Sequence, residues 1–167
     1  QALEVSGLVK VDQSLVNHLA SVRLTGRLSR IQTEDFELVL DVAHNVESVS
    51  QLVQFLTDHP VSGKTAAVFG VMGDKPIHDM LALCESAFDE WHLIDLCHVS
   101  RAMSTDRLTE FLKPMGAPIH QGAFADLWQS LMTRVTTGDR VVVFGSFFSV
   151  GEATAYLAAH HYDGEQH

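Results

Sequence analysis

Two hydrophobic periods alternate along this chain. "FELVLDVA" (36–43) is a nearly unbroken apolar run rich in strand formers, and Val46, Val49, Leu52, Val53 and Leu56 then recur at helical spacing up to His59-Pro60. The unit repeats. "TAAVFGVM" (65–72) precedes Pro76, placed for a first helical turn, and then Ile77, Met80, Leu81 and Cys84 on one face. "WHLIDL" (91–96) precedes a helix that Ser104 or Thr105 can cap, that carries Leu108, Phe111 and Leu112, and that Pro114 and Gly116 stop. A short strand near "PIHQ" (118–121) leads to the clearest helix, marked by Phe124, Leu127, Trp128, Leu131, Met132 and Val135. "TTGD" makes a turn, "RVVVFGS" (140–146) reads as a fully buried strand, and Val150, Ala153, Leu157 and Ala158 form the inner side of a last helix.

Strands without polar alternation are buried on both faces, and strands alternating with helices build βαβ units. The pattern predicts an α/β fold: a Rossmann-like, doubly wound, mostly parallel sheet of about six strands, helices on both faces, one edge strand antiparallel. "RLTGRLSRIQTEDFELVL" suits an edge hairpin entering the first buried strand. Residues 1–22, with a short helix in "QSLVNHLASV", read as a linker or the tail of something larger, and residues 23–167 as the domain.

Composition narrows the function. A net charge of −10, from 21 acidic residues against 11 Lys and Arg, opposes diffuse attraction to phosphate backbones, so no nucleic-acid partner is expected. No apolar run approaches the ~18 residues that span a bilayer, so no membrane role is expected either. Cys84 and Cys97 match no zinc spacing and read as reduced thiols of a cytoplasmic protein. The chain begins with Gln1, which suggests a fragment or a processed piece. "SGKT" (62–65) imitates a phosphate-binding loop, but position 58 is Asp rather than Gly, and a helix precedes it while a strand follows, the reverse of that motif's context. It reads as a plain loop. No G-x-G-x-x-G follows any strand.

In an open parallel sheet, ligands sit beyond the C-terminal strand ends. Four such ends carry polar groups: Asp41, His44 and Asn45; "GVMGDK" (70–75) with Asp74 and Lys75; "DLCHVSRAMST" (95–105) with Arg101; and Gly145, Ser146 and Ser149. Each has a plain alternative. Asn45 and Asp74 are placed to cap helices, Gly145-Ser146 to turn the chain, and Lys75 and Arg101 to be solvated. Their recurrence on one rim favours a binding edge.

"LTGRLSRI", "LVLDVAHNVESVSQLVQFL", "VFGVMGDKPIHDML", "RAMSTDRL" and "VVVFGSFFSV", in that order and spacing, resemble the C-terminal domain of the folylpolyglutamate synthase / dihydrofolate synthase family of the Mur ligase superfamily, over about residues 20–160. The resemblance implies an ATP-dependent ligase of folate biosynthesis. It activates the carboxylate of dihydropteroate or a folate as an acyl phosphate for attack by the amino group of L-glutamate. It further implies that the phosphate loop and the Mg2+ ligands belong to an N-terminal ATPase domain of the same full-length chain, so that this chain alone is inactive, and a monomer is expected. By the same resemblance Arg27 and Asp41 bind ATP, His44 and Ser146 contact the acyl phosphate or glutamate, and Asn45, Asp74, Lys75 and Arg101 are glutamate or phosphate candidates. This sequence departs from the family pattern at Thr25 and Val46, where proline is usual, at Pro76, where a carboxylate is usual, and at Phe148, where histidine is usual. A Mur-type peptidoglycan ligase domain and a non-catalytic α/β nucleotide-binding or interaction module are the alternatives.

Overall fold

The structure, a computed structural model, describes residues 28–162. Arg27, the "QSLVNHLASV" segment and the 1–22 linker expectation lie outside the described residues. Six strands form one sheet: β1 (Ser29–Gln32), β2 (Phe36–Leu40), β3 (Thr65–Phe69), β4 (Glu90–Ile94), β5 (Ile119–Gly122) and β6 (Asp139–Phe144), in the order β1-β2-β6-β3-β4-β5. β1 pairs antiparallel with β2, Ser29 opposite Leu40, and the other four pairings are parallel. The expected edge hairpin is therefore present. Its turn is held by Thr33, whose Oγ1 accepts the Phe36 N–H at 2.9 Å.

Helices follow the parallel strands: α1 (Val46–Asp58), α2 (Ile77–Ala82), α3 (Thr105–Leu112), α4 (Phe124–Met132) and α5 (Phe147–Tyr162). β2, β3 and β6 show no surface alternation because both faces are covered. One face packs Val39, Ala67, Phe69 and Val142 against Leu52 of α1, Met80 of α2 and Leu108 of α3. The other packs Leu38, Val68, Val141 and Val143 against Trp128 of α4 and Ala153 of α5. Crossovers of this kind bury each helix's apolar stripe, at roughly 1.5–3 kcal/mol per large side chain.

Local expectations differ in small ways. Pro76 sits at the N-cap of α2 rather than within its first turn, and no side chain caps that helix, so Asp74 does not cap it. α2 ends before Cys84, which lies buried in the following turn. α4 stops at Met132 instead of reaching Val135. Ser104 rather than Thr105 caps α3, accepting the Arg107 N–H at 3.4 Å, and Gly116 closes the stretch in a left-handed conformation. "SGKT" ends the loop between α1 and β3, its Thr65 opening β3, at the strand ends opposite the polar rim, and none of the described helices is long and apolar enough to cross a membrane.

A polar cluster lies inside the fold. Glu37 and Arg140, neighbours across β2 and β6, are 3 % and 1 % exposed. Arg140 donates to Glu37 and to the backbone carbonyls of Leu56 and His59, so one guanidinium satisfies a buried carboxylate and the C-terminal carbonyls of α1. Arg30 of β1 donates to the other Glu37 oxygen.

Candidate functional site

β6 lies between β2 and β3, and its following helix, α5, departs to the opposite face from α1 and α2. Neighbouring strands whose connections part to opposite faces leave a crevice at their C-terminal ends. The crevice here is flanked by residues 41–45 after β2 and 145–148 after β6.

Asp41 continues β2 by one bond, its N–H donating to the Val143 carbonyl at 3.0 Å. Its carboxylate accepts the Ala43 N–H at 3.1 Å, and no cation pairs with it among the described residues. Burial pushes this carboxyl up from the usual 3.8 to about 6, against the opposing pull of the Ala43 N–H and of nearby His44. An ionised carboxylate so placed gains from any hydroxyl or cation that reaches it. His44 is half-buried, and its Nδ1 donates to the Val42 carbonyl at 2.8 Å, which fixes the ring against the β2 loop. The His44 ring stands 6.3 Å from that of Phe147, so the loops after β2 and β6 meet across the crevice. An open cavity of about 580 Å³ beside Asp41 is lined by Leu28, Asp41, His44, Asn45, Ser48 and Gln51, within the range of small-molecule sites.

Two predicted site residues have structural duties. Asn45 caps α1: its Oδ1 accepts the Ser48 N–H at 2.8 Å and Ser48 answers in a reciprocal capping box. Ser146 is 4 % exposed, accepts the Ser149 N–H at 3.1 Å at the start of α5, and lies 2.9 Å from the Ser149 hydroxyl, which donates to the Gly70 carbonyl at 2.7 Å. Asp74, Lys75 and Arg101 gather at a second part of the rim. There the β3 and β4 loops are joined by Gly73 N–H to Arg101 carbonyl at 2.7 Å and Met103 N–H to Val71 carbonyl at 2.8 Å. Lys75 Nζ is 3.7 Å from Asp74, and Arg101 is exposed. Two strand positions, roughly 10 Å, separate β2 from β3, so these groups face the far side of the crevice from Asp41. The sequence did not point to Phe147, which is 63 % exposed, nor to Ser48 and Gln51; the polar i, i+3 spacing on α1 is the only trace of the latter pair.

The family model for the Mur ligase, glutamate ligase domain matches residues 26–147. The chain belongs to this family. Among curated relatives, this glutamate ligase domain is 30% identical over 164 residues to the dihydrofolate synthase/folylpolyglutamate synthase of Escherichia coli, covering 98% of this chain and 38% of that protein. It is 28% identical over 151 residues to the enzyme of the same name from Buchnera aphidicola of Schizaphis graminum, covering 90% and 35%. The domain thus spans about a third of the length of these relatives. Of solved structures, E. coli FolC in complex with ADP superposes with a TM-score of 0.69 at 28% identity, covering 75% of this chain and 30% of that one. The Yersinia pestis bifunctional folylpolyglutamate synthase/dihydrofolate synthase gives 0.67 at 34% identity, covering 81% and 31%. The doubly wound sheet with one antiparallel edge is the fold of the FolC C-terminal domain.

Proposed function

We propose that this glutamate ligase domain serves an ATP-dependent ligase that adds L-glutamate to dihydropteroate, to a reduced folate, or to both, in the cytoplasm. The observation that carries the reading is Asp41: a carboxylate without a paired cation among the described residues, at the switch-point crevice, in a chain whose relatives bear the dihydrofolate synthase/folylpolyglutamate synthase name. Those names favour a folate acceptor over a peptidoglycan one. One similar structure is described with Mn, AMPPNP and L-glutamate bound and another with DHPP and ADP, which supports nucleotide, glutamate and pteroate ligands for this site.

Asp41 would accept from ribose hydroxyls, replacing the hydration it has lost. Arg27, bonded to the pocket-lining Leu28, would meet the phosphates with directed, charge-assisted bonds. ATP supplies the phosphoryl group that activates the acceptor carboxylate. The rim cations Lys75 and Arg101 would receive the anionic phosphate and glutamate with His44 beside them, and Asn45 and Ser146 would hold the two loops by capping α1 and α5. The exposed Phe147, its ring 6.3 Å from that of His44, would give the crevice an apolar wall suited to a flat ring. Among the described residues no group of three metal-ligating side chains gathers at the rim. The magnesium ligands and the phosphate loop would belong to an N-terminal ATPase domain on residues 23–167's own longer chain, with residues 1–22 as linker, acting as a monomer.

The test is glutamate addition by the full-length protein to dihydropteroate and to a reduced folate, assayed separately with ATP. Turnover on at least one acceptor, lost by 10²-fold or more in Arg27→Ala and in Asp41→Ala, is expected. Wild-type rates in both variants would remove this crevice from the reaction, and ligation by the 167-residue chain alone would overturn the division between domains.

A further inference from the structure

Parallel pairing places His92 of β4 directly opposite His120 of β5, and the two-residue period of a strand brings Glu90 onto the same face as His92. The three side chains converge near the C-terminal end of α4, at the ends of the strands away from the Asp41 rim. The imidazoles stack, ring centres 4.8 Å apart and planes 18° from parallel. The Glu90 carboxylate faces both: Oε1 is 3.3 Å from His92 Nε2, and Oε2 is 3.9 Å from His120 Nε2. Donor atoms of all three residues lie within 4.8 Å of one another.

This cluster is left unfinished by the protein. His92 is fully buried, yet neither of its ring nitrogens has a hydrogen-bond partner among the described residues, and Nε2 of His120 is likewise buried and unpartnered. The Glu90 oxygens fall short of a hydrogen bond to these rings, by alignment at His92 and by distance at His120. Native folds rarely leave buried polar atoms unpaired. Glu90 Oε2 is already engaged by Arg134 Nη1 at 2.8 Å. What remains available is the imidazole nitrogens of two stacked rings and one carboxylate oxygen, gathered within 4.8 Å of one another.

We propose that Glu90, His92 and His120 form a zinc site that ties edge strand β5 to β4. Two imidazoles and a carboxylate are a zinc donor set, with the fourth position left to water. Mg2+ and Ca2+ prefer oxygen ligands and more of them. Tetrahedral zinc with bonds of about 2.0–2.2 Å holds its donors roughly 3.3–3.5 Å apart. The His92–Glu90 separation already has that value. His120, 40 % exposed, has room to turn out of its stack with His92 and bring its nitrogen to the metal, and its open side is the entry path. Arg134 stays on Oε2 and orients the carboxylate so that Oε1 faces the metal, the usual work of a group behind a metal ligand.

The experiment is Zn2+ titration of the chelator-stripped 167-residue chain in competition with a chromophoric chelator. One equivalent per chain is expected, with melting temperature rising with Zn2+ concentration and unmoved by Mg2+. His120→Gln and Glu90→Gln, both at partly exposed positions, should each weaken zinc binding at least ~10-fold. No stoichiometric uptake, or uptake unchanged in both variants, overturns the site. Should the variants fail to fold, zinc-edge X-ray absorption of the loaded wild-type chain decides: a shell with two imidazoles supports it, and one without them overturns it.

Discussion

Strand β2 carries a carboxylate near its start and another just past its end, and the two live in opposite circumstances. Glu37 is buried deep and receives guanidinium donors from Arg30 and Arg140. Asp41 is less deeply buried, yet it holds one backbone N–H and no cation among the described residues, and its carboxyl is pushed up to about 6. The first charge is complete within the fold and maintains it. The second is left for something the domain meets later. Burial alone does not separate a structural charge from a functional one; the state of its partners does.

Removing a partner from the completed charge has the largest expected effect. Arg140→Met leaves Glu37 with only the half-exposed Arg30 and frees two α1 carbonyls, and urea denaturation should show a loss of about 3–5 kcal/mol. If the variant is as stable as wild type, the contrast between the two carboxylates fails.

At the rim, rigidity comes from backbone. Gly145 joins β6 to the crevice at φ 109°, and a Cβ there would stand 2.6 Å from the Gly70 carbonyl and from the Phe69 ring. Gly145→Ala should cost about 2–3 kcal/mol by the same denaturant measurement and displace Ser146 and Phe147 from the crevice.

Asp41 gives the converse sign. The folded state holds its proton more tightly than the unfolded chain, so its contribution to stability is present below pH ~4 and lost as pH rises to about 6. A rise from 3.8 to about 6 corresponds to roughly 3 kcal/mol, and partial solvent access reduces this to ~1–2 kcal/mol. Asp41→Asn, which keeps an acceptor for Ala43, should therefore match wild type below pH 4 and exceed it by that amount above pH 6, while full-length activity falls. Thermal melts at pH 4 and pH 7 provide the comparison.

The smallest effect belongs to Asn45. Loss of its cap in Asn45→Ala should cost about 1 kcal/mol, with Asn45→Ser recovering most of it. A change in the Michaelis constant for glutamate without any change in melting temperature would instead return Asn45 to the substrate.

The fold was readable because its signals are local. Unbroken runs such as "VVVF", proline and glycine stops and the four polar strand ends needed no tertiary knowledge, and the antiparallel edge followed from the hairpin before β2. The polar rim was readable as a set but not in its division of labour. Ser146 and Asn45 look alike as site residue and cap until the N–H groups that donate to them are seen, because both uses need the same oxygen at the same backbone position. The Glu37–Arg140 pair, 103 residues apart, and the His92–His120 stack depend on strand register, which a single sequence does not state. Inside runs otherwise rich in Val, Leu and Phe, a lone Glu, Arg or His signals only that a partner must exist.

The strand order carries a consequence for how the domain is made. β6, residues 139–144, is the last strand to leave the ribosome, yet it fills the middle of the sheet, between β2 and β3. Until it emerges, the nascent chain holds two half-sheets whose inner edges have nothing to pair with, the condition under which strands associate wrongly. A chain cut between β5 and β6 does not hold a smaller version of the sheet; it holds β1-β2 and β3-β4-β5 without the strand that joins them. Vectorial synthesis therefore makes the closing of this sheet a single late event, and it leaves Ser146 and Phe147 to arrive just behind the strand that brings the two halves together.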